Sequence, residues 1–132
     1  LHMKQNIANV TLVVKDYDVA IQFYTQKLGF EVLQDVQLDT EKRWVLVAPP
    51  HAKGIALLLA KAFNDPQAKS IGNQTGGRVS FFLYTNDFCR DYNNMSTMGV
   101  VFKEKSRKED YGTVAVFEDL YGNLWDLLEP KE

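Results

Sequence analysis

A strand–helix–strand pattern occurs twice in this chain, and the repeat constrains the fold more than any other feature. Residues 10–32 and 79–102 each contain an alternating apolar strand, an aspartate that can cap a helix, a helix, a glycine and a second strand. Three matched pairs are 69 residues apart and the glycines are 70 apart: Val10 and Val79, Leu12 and Phe81, Asp18 and Asp87, and Gly29 and Gly99. We interpret the difference as one residue inserted in the second helix region.

Each copy continues into two further strands, so each repeat is predicted to be a βαβββ unit. Near the ends of the halves, LLLAK (57–61) aligns with DLLEP (126–130), again 69 residues apart. The first repeat is predicted over about 6–60 and the second over 77–130, with a polar, turn-rich connector at 61–76. The strands are predicted at 6–14, 30–38, 42–48, 54–60, 78–85, 101–107, 111–118 and 123–129.

The repeat predicts an α+β fold in which two tandem βαβββ units form curved mixed sheets around a cleft. One unit has a helix on one face of its sheet, and the apolar opposite face needs a cover. Residues 3–132 are predicted to be one domain, and Leu1 and His2 look like a cloning remnant before Met3. The sequence leaves open whether the connector acts as a lid over the cleft.

Charge and residue inventory exclude several classes of protein. The net charge of −2 argues against a nucleic-acid partner, and no apolar run approaches the roughly 20 residues of a membrane span. We therefore expect a cytoplasmic protein without a membrane partner. Beyond His2, the chain has one histidine, His51, and one cysteine, Cys89, so neither an internal disulfide nor a four-ligand structural zinc site is possible.

Several short motifs resemble the vicinal oxygen chelate superfamily, which includes glyoxalase I, bleomycin resistance proteins, extradiol dioxygenases and fosfomycin resistance proteins. The matching features are V-x-D at Val14–Asp16, the pair Phe23-Tyr24, and Leu28-Gly29-Phe30. The closing FEDLYGNLWDLLEP (117–130) is similar to the usual ending of that superfamily, with Leu120 where proline is commoner. The resemblance covers almost the whole chain and implies the glyoxalase/bleomycin resistance fold.

The same resemblance implies where a metal would bind. Metal-dependent members take one ligand from the first and last strand of each repeat, and these positions fall on Asn9, Leu57, Arg78 and Asp126. Leu57 has no donor atom and Arg78 carries a permanent positive charge, so this set does not suit a cation. We expect no metal and no other cofactor. Arg78 and Asp126 are instead predicted to form an ion pair, which either binds a carboxylate, phosphate or carbonyl of a ligand or simply closes the cleft.

Aromatic side chains are the other candidates for a binding site. Phe82 and Tyr84 share a strand face with Arg78 and are predicted to line the cleft, whereas Phe81 and Trp125 are assigned to the core. Trp44 and Phe117 fit either place, and Phe102 and Tyr111 are further candidates for the lining. His51 is interpreted as a solvent-exposed turn residue in preference to a general base, and Cys89 as a packed bystander. No nucleophile–base pair is recognisable, so catalytic residues are unknown.

These observations predict a metal-independent protein that binds or sequesters a small, partly aromatic or anionic organic molecule. The resemblance also implies a homodimer, because relatives commonly complete their clefts at a subunit interface. An alternative is a lyase, isomerase or dioxygenase of the same superfamily with an atypical metal site or acid–base chemistry from Asp126. A third possibility is an accessory module that docks a side chain of another protein.

Overall fold

The computed structural model describes residues 3–132, so the predicted cloning remnant, Leu1 and His2, lies outside the described residues. The chain divides into two compact units, one ending at Ala68 and the other beginning at Lys69. Each unit contains one mixed sheet, which confirms the α+β class, and each half follows the βαβββ order except that the second has one additional short strand. None of the helices in residues 3–132 is long and apolar enough to cross a membrane.

The first unit is a four-stranded sheet in the order β1-β4-β3-β2, in which β1 is parallel to β4 and the other neighbours are antiparallel. Helix α1 continues into one turn of π-helix, and a short helix α2 follows the last strand and runs past the boundary at Ala68. The elements are β1 (Asn9–Val14), α1 (Tyr17–Gln22), the π turn (Phe23–Lys27), β2 (Glu31–Gln37), β3 (Arg43–Ala48), β4 (Ala56–Lys61) and α2 (Asp65–Ser70).

The second unit is a five-stranded sheet in which β5 pairs in parallel with β9, and β8 lies between β9 and two short strands. The single strand predicted at 101–107 is divided into two short strands, both paired with β8. The elements are β5 (Val79–Tyr84), α3 (Phe88–Thr97), β6 (Val101–Phe102), β7 (Arg107–Glu109), β8 (Gly112–Glu118) and β9 (Leu124–Pro130).

The helix starts show that the matched aspartates are Asp16 and Asp87, not Asp18 and Asp87. A carboxylate oxygen of Asp16 accepts a hydrogen bond from Val19 N at 2.9 Å, and Asp87 accepts one from Arg90 N at 3.1 Å. Gly29 lies 13 residues after Asp16, whereas Gly99 lies 12 residues after Asp87. The extra residue is therefore in the first helix, where the π turn accommodates it, and the predicted insertion in the second helix was wrong.

The last strands of the two repeats are offset by one residue from the predicted alignment. Leu57 pairs with Val10 and Val47 on the sheet face that carries α1, whereas Asp126 follows Trp125 and lies on the face opposite α3. A shift of one residue moves a side chain to the other face of a sheet. Leu58, and not Leu57, is consequently the counterpart of Asp126.

Each unit has a dense core between its sheet and its helix. In the first unit, Leu12, Val14, Val45, Val47 and Leu59 are at most 1% exposed. In the second unit, a chain of aromatic rings with neighbouring centroids 4.3–5.7 Å apart runs from the helix across the sheet: Phe88, Tyr92, Phe102, Phe117, Trp125 and Phe81. Both helices are thereby fixed on one face of their sheets, which leaves the opposite faces for other contacts.

Candidate functional site

A pocket of about 400 Å³ lies in the first unit, at the end of the sheet where β1 and β4 finish and β3 begins. This volume lies within the range of sites for small organic molecules. Aromatic, aliphatic and cationic side chains line it, and among the residues that the structure describes no carboxylate does so. The lining residues are Thr11, Val13, Tyr17, Leu38, Lys42, Arg43, Trp44, Leu58, Leu59, Ala60, Lys61, Phe63 and Gln67.

The floor of the pocket is the sheet face opposite α1. Thr11 pairs with Leu58 and Val13 pairs with Ala60, so alternate residues of β1 and β4 point to the same side. Trp44 lies on this face, where it packs against the apolar cluster of Leu46, Ala48 and Ala56. Its indole Nε1 donates a hydrogen bond to Gln34 Oε1 at 2.7 Å, which fixes the ring as a flat, half-buried wall.

One wall of the pocket comes from the segment after β4, which includes Phe63 and the start of α2. Asn64 Oδ1 accepts a hydrogen bond from Gln67 N at 2.9 Å, and Gln67 Oε1 accepts one from Phe63 N at 2.8 Å. This reciprocal arrangement resembles a capping box and fixes the backbone next to the Phe63 ring. Sequence reasoning missed this helix inside the predicted connector, although Asn64 and the early Pro66 are typical of a helix start.

Arg43 is held by two carboxylates at the rim of the pocket. Its guanidinium makes ion pairs with Asp35 at 2.7 Å and Asp18 at 2.9 Å, and its centre lies 5.1 Å from the middle of the Tyr17 ring. The hydrogen bonds from the guanidinium to Asp35 and then Asp18 raise the pKa of Arg43. The charge of Arg43 is thus balanced within the protein, and its main role is to join β3 to β2 and α1.

Lys61 is the other half-buried cation of the pocket. Its Nζ lies 5.8 Å from the centre of the Phe63 ring, and it makes no ion pair with any carboxylate in residues 3–132. Lys42, which also lines the pocket, is exposed. The pocket therefore combines flat apolar walls with positive charge that the neighbouring residues do not neutralise.

In the second unit, Asp126 is a buried carboxylate on the sheet face opposite α3. Its side chain is part of a residue only 7% exposed, and its Oδ1 has no hydrogen-bond partner within the described chain. Burial raises the pKa of Asp126, and Glu104 adds to this increase while Arg107 opposes it. Arg107 itself makes ion pairs with Glu104 at 2.9 Å and Glu109 at 2.8 Å, so its charge is shared with other carboxylates.

The raised pKa predicts that Asp126→Asn changes how stability depends on pH. The folded protein holds the Asp126 proton more tightly than the unfolded chain, so this contribution is complete below the ordinary pKa of 3.8 and is lost as the pH rises through the higher folded value. We therefore expect the stability of the variant relative to the wild type to increase as the pH rises above the ordinary pKa of 3.8. Urea unfolding at several pH values measures this difference.

The matched control is Asp110→Asn, which removes a carboxylate from the exposed turn after β7. The relative stability of this variant should show a weaker dependence on pH. A trend for Asp126→Asn that is flat, or that runs in the opposite direction, would contradict the effect of burial on this carboxylate.

The predicted ion pair between Arg78 and Asp126 is absent from residues 3–132. Asp126 lies opposite Phe82 in the parallel pairing of β5 with β9, four residues further along the chain than Arg78. Four residues of extended strand span about 13 Å, which is too far for an ion pair. Arg78 precedes β5 and is exposed, with its carbonyl oxygen accepting a hydrogen bond from the Thr75 hydroxyl at 2.7 Å. The ion-pair prediction was wrong because it assumed that the two residues were neighbours in register.

The other predicted site residues are divided among three environments. Trp44 lines the pocket of the first unit, and Asn9 is half-buried on the same face of that sheet, opposite Ala56. Phe82 and Tyr84 are 61% and 68% exposed on the sheet face of Asp126. Phe117 is fully buried in the aromatic core and has no surface that a ligand could contact, so its prediction as a ligand-binding residue was wrong.

The structure also tests the sequence predictions for Trp125, His51 and Cys89. Trp125 is 3% exposed, and its ring contacts Phe81 and Phe117, which confirms its place in the core. His51 is exposed in the turn after β3 and has a positive φ of 60°. Cys89 lies in the first turn of α3 and is exposed, so the expectation that it is packed was wrong.

The residues at the expected metal positions do not fit a divalent cation. Asn9 and Asp126 each offer side-chain oxygens, but the residues on the matching face of β4 are Ala56 and Leu58, which have no donor atoms. In the second sheet, Phe82 lies opposite Asp126. Within residues 3–132 no group of three or more His, Cys, Asp or Glu side chains could hold a metal ion.

The family model described as the Glyoxalase/Bleomycin resistance protein/Dioxygenase superfamily matches residues 6–127. The chain therefore belongs to this superfamily, in agreement with the resemblance carried by its sequence motifs.

Individual relatives cover nearly the whole chain. An uncharacterised protein of Shewanella frigidimarina (strain NCIMB 400) is 56% identical over 128 residues, which is 96% of this chain and 95% of that protein. Among solved structures, UcmS2 has a TM-score of 0.84 and 31% identity, covering 96% of this chain and 99% of that one. TnmS3, an antibiotic binding protein from Streptomyces sp. CB03234, has a TM-score of 0.78 and 27% identity, covering 98% and 100%.

Proposed function

We propose that this protein binds a small, partly aromatic or anionic organic molecule in the pocket of the first unit and does not transform it. The observation that carries the proposal is the combination of the ordered Trp44 indole, the adjacent apolar floor and the positive charge of Lys61 in a space of about 400 Å³. Such a site offers flat contact area together with polar groups that orient a ligand.

Two further observations support a binding role. The structural neighbour TnmS3 is described as an antibiotic binding protein, and its likeness extends over 98% of this chain. The pocket also lacks the features of a familiar catalytic centre, because no histidine, cysteine, serine or carboxylate is among its lining residues in the described chain. The protein is proposed to act in the cytoplasm, where it would sequester its ligand.

Replacing the indole should weaken binding in a way that identifies the pocket. A thermal-shift screen with planar aromatic compounds is expected to give compounds that raise the unfolding midpoint, because a ligand of the native state stabilises it by mass action. For each such compound, Trp44→Ala should increase the Kd by about ten-fold or more, since the ring provides a large share of the apolar contact. Isothermal titration calorimetry measures the Kd directly.

The control for this experiment is Tyr84→Ala. Tyr84 is 68% exposed in the second unit and does not line the pocket, so its removal should leave the Kd unchanged. The opposite result, in which Tyr84→Ala weakens binding and Trp44→Ala does not, would assign the ligand to the face of the second sheet that carries Asp126.

The alternative activity, a lyase, isomerase or dioxygenase, is favoured by one observation. Asp126 is buried and its Oδ1 has no partner in the part of the chain described here, which is a typical situation for an acid–base group. Mass spectrometry of a bound compound recovered after incubation distinguishes the two functions. A chemically changed compound, with the change lost in Asp126→Asn, would replace the binding role by an enzymatic one.

The homodimer remains a prediction, which sedimentation of the purified chain tests. Strand β2 is at the edge of its sheet, and all its residues are exposed. Four large apolar side chains on or next to this strand are 41–54% exposed, and they support the proposal of a partner surface: Val32, Leu33, Val36 and Leu38.

A further inference from the structure

The cations around the pocket of the first unit differ in how far the protein neutralises them. Arg43 makes ion pairs with both Asp18 and Asp35, and three of its nitrogen–oxygen contacts lie between 2.7 and 3.1 Å. Three of its five N–H donors are therefore already used, and its charge is paired with carboxylates. Lys42 is exposed, so water and salt screen its charge. Lys61 differs from both, because it is half-buried and has no carboxylate partner among residues 3–132.

The surroundings of Lys61 make an anionic guest the natural partner. Its Nζ lies over the Phe63 ring, whose face attracts a cation weakly but does not cancel its charge. Lys61 lies between Ala60 and Phe63 in the chain, and all three residues line the pocket. Because Lys61 lines the pocket without a carboxylate partner among residues 3–132, a carboxylate bound next to its ammonium group would gain charge-assisted hydrogen bonds.

The apolar part of the guest is defined by the aromatic and aliphatic lining of the pocket. Trp44 provides a flat wall fixed by its hydrogen bond to Gln34, and Leu58 and Ala60 form a smooth floor. Planar rings fit such a wall better than branched or strongly hydrated groups. A cationic guest would meet like charge from Lys61, and no carboxylate among the described lining residues offsets it, so the same pocket disfavours amines.

On these grounds, and resting on the proposed function, we propose that the pocket selects planar aromatic anions, with the anionic group bound by Lys61 and the ring against Trp44. The sequence had suggested Arg78 for the role of anion binder, but Arg78 is outside this pocket. Lys61 was not a candidate in the sequence, because a lysine at the end of a strand is usually a solvated charge.

The test uses two probes of nearly the same shape, 2-naphthoate and its neutral analogue 2-naphthamide. At low ionic strength, the wild-type protein is expected to bind the naphthoate about ten-fold more tightly, and added salt should reduce this ratio. Lys61→Met should bring the naphthoate Kd to that of the naphthamide, while the naphthamide Kd stays the same. Lys61→Arg keeps the positive charge and should therefore retain a large part of the preference for naphthoate over naphthamide. Calorimetric titration provides each Kd.

A matched control removes the same charge elsewhere in the unit. Lys53→Met changes an exposed lysine in the turn between β3 and β4 that does not line the pocket, so the ten-fold preference should persist. Equal binding of the two probes by the wild type would overturn the anion selectivity and leave the proposed binding function intact. A preference that survives Lys61→Met would overturn the role of Lys61. If neither probe binds at millimolar concentration, both the selectivity and the proposed pocket are rejected.

Discussion

Phe117→Ala is expected to lower the free energy of unfolding by about 3–5 kcal/mol, the usual loss when a fully buried phenylalanine is reduced to a methyl group. Phe117 has no exposed surface, and its ring contacts those of Phe102 and Trp125 with centroids 5.7 Å apart. The truncation removes the centre of the aromatic chain that joins α3 to the second sheet, and the rings on either side cannot move together to fill the space. Because small proteins are stable by only about 5–15 kcal/mol, this variant should be close to unfolding.

Phe82→Ala provides the control, since it makes the same chemical change on the other face of a strand in the same sheet. Phe82 is 61% exposed, so its removal should change the stability by no more than about 0.5 kcal/mol. Urea unfolding monitored by far-UV circular dichroism measures both variants. Similar losses for the two phenylalanines would show that Phe117 is not the centre of the core, and would reopen its assignment as a ligand-binding residue.

The second large effect is expected from Gly112→Ala, which should lower the free energy of unfolding by roughly 3 kcal/mol. Gly112 begins β8, pairs with Glu109 on one side and Pro130 on the other, and has a φ of 150°. A methyl group on its Cα would overlap the backbone carbonyl oxygen of Glu129. The strands β8 and β9 would have to separate at this point, because the obstacle is backbone and not a flexible side chain.

Two other glycines separate the cost of overlap from the cost of backbone conformation. Gly122 has a φ of 90° but nothing within 4 Å of an added Cβ, so Gly122→Ala should lower the free energy of unfolding by only about 1 kcal/mol. Gly54 has open space and no positive φ, and its replacement should change stability by no more than about 0.5 kcal/mol. Equal losses at Gly112 and Gly122 would mean that the sheet can open at no cost, and would contradict the account given for Gly112.

The sequence was sufficient to predict the βαβββ order because caps and helix-ending glycines are local signals. Asp16 and Asp87 cap the two helices, and Gly29 and Gly99 have φ values of 75° and 90° that few other residues adopt. Each of these signals depends on its own residues and their nearest neighbours. The superfamily itself was also recognisable, since its motifs cluster at these same turns and helix ends.

The faces of the last strands were not predictable, because those strands have no alternation. Leu57, Leu58 and Leu59 are all apolar, so the period of two that would assign each to a face is missing. Strand β5 adds a register shift between Val79 and Phe81, which a repeating pattern does not reveal. The wrong positions of Leu57 and of the Arg78–Asp126 pair both follow from treating separate strands as if their register were known.

Most of the candidate site was missed for a related reason. Of the predicted ligand-binding residues, only Trp44 lines the pocket in the first unit. Lys61 and Phe63 lie where β4 ends and the predicted connector begins, and a helix of six residues is too short to give a recognisable period. Their contribution depends on how the segment folds back against β1 and β3, which is set by tertiary contacts and not by local sequence.

The π turn at Phe23–Lys27 shows how the duplicated halves were able to diverge. A helix that gains one residue can widen a single turn and keep both of its ends in place, and the π turn here contains two buried aromatic residues, Phe23 and Tyr24. The same gain within a strand would exchange its inner and outer side chains. Single-codon insertions and deletions in this family should therefore accumulate in helices and turns, while the central strands change almost entirely by substitution.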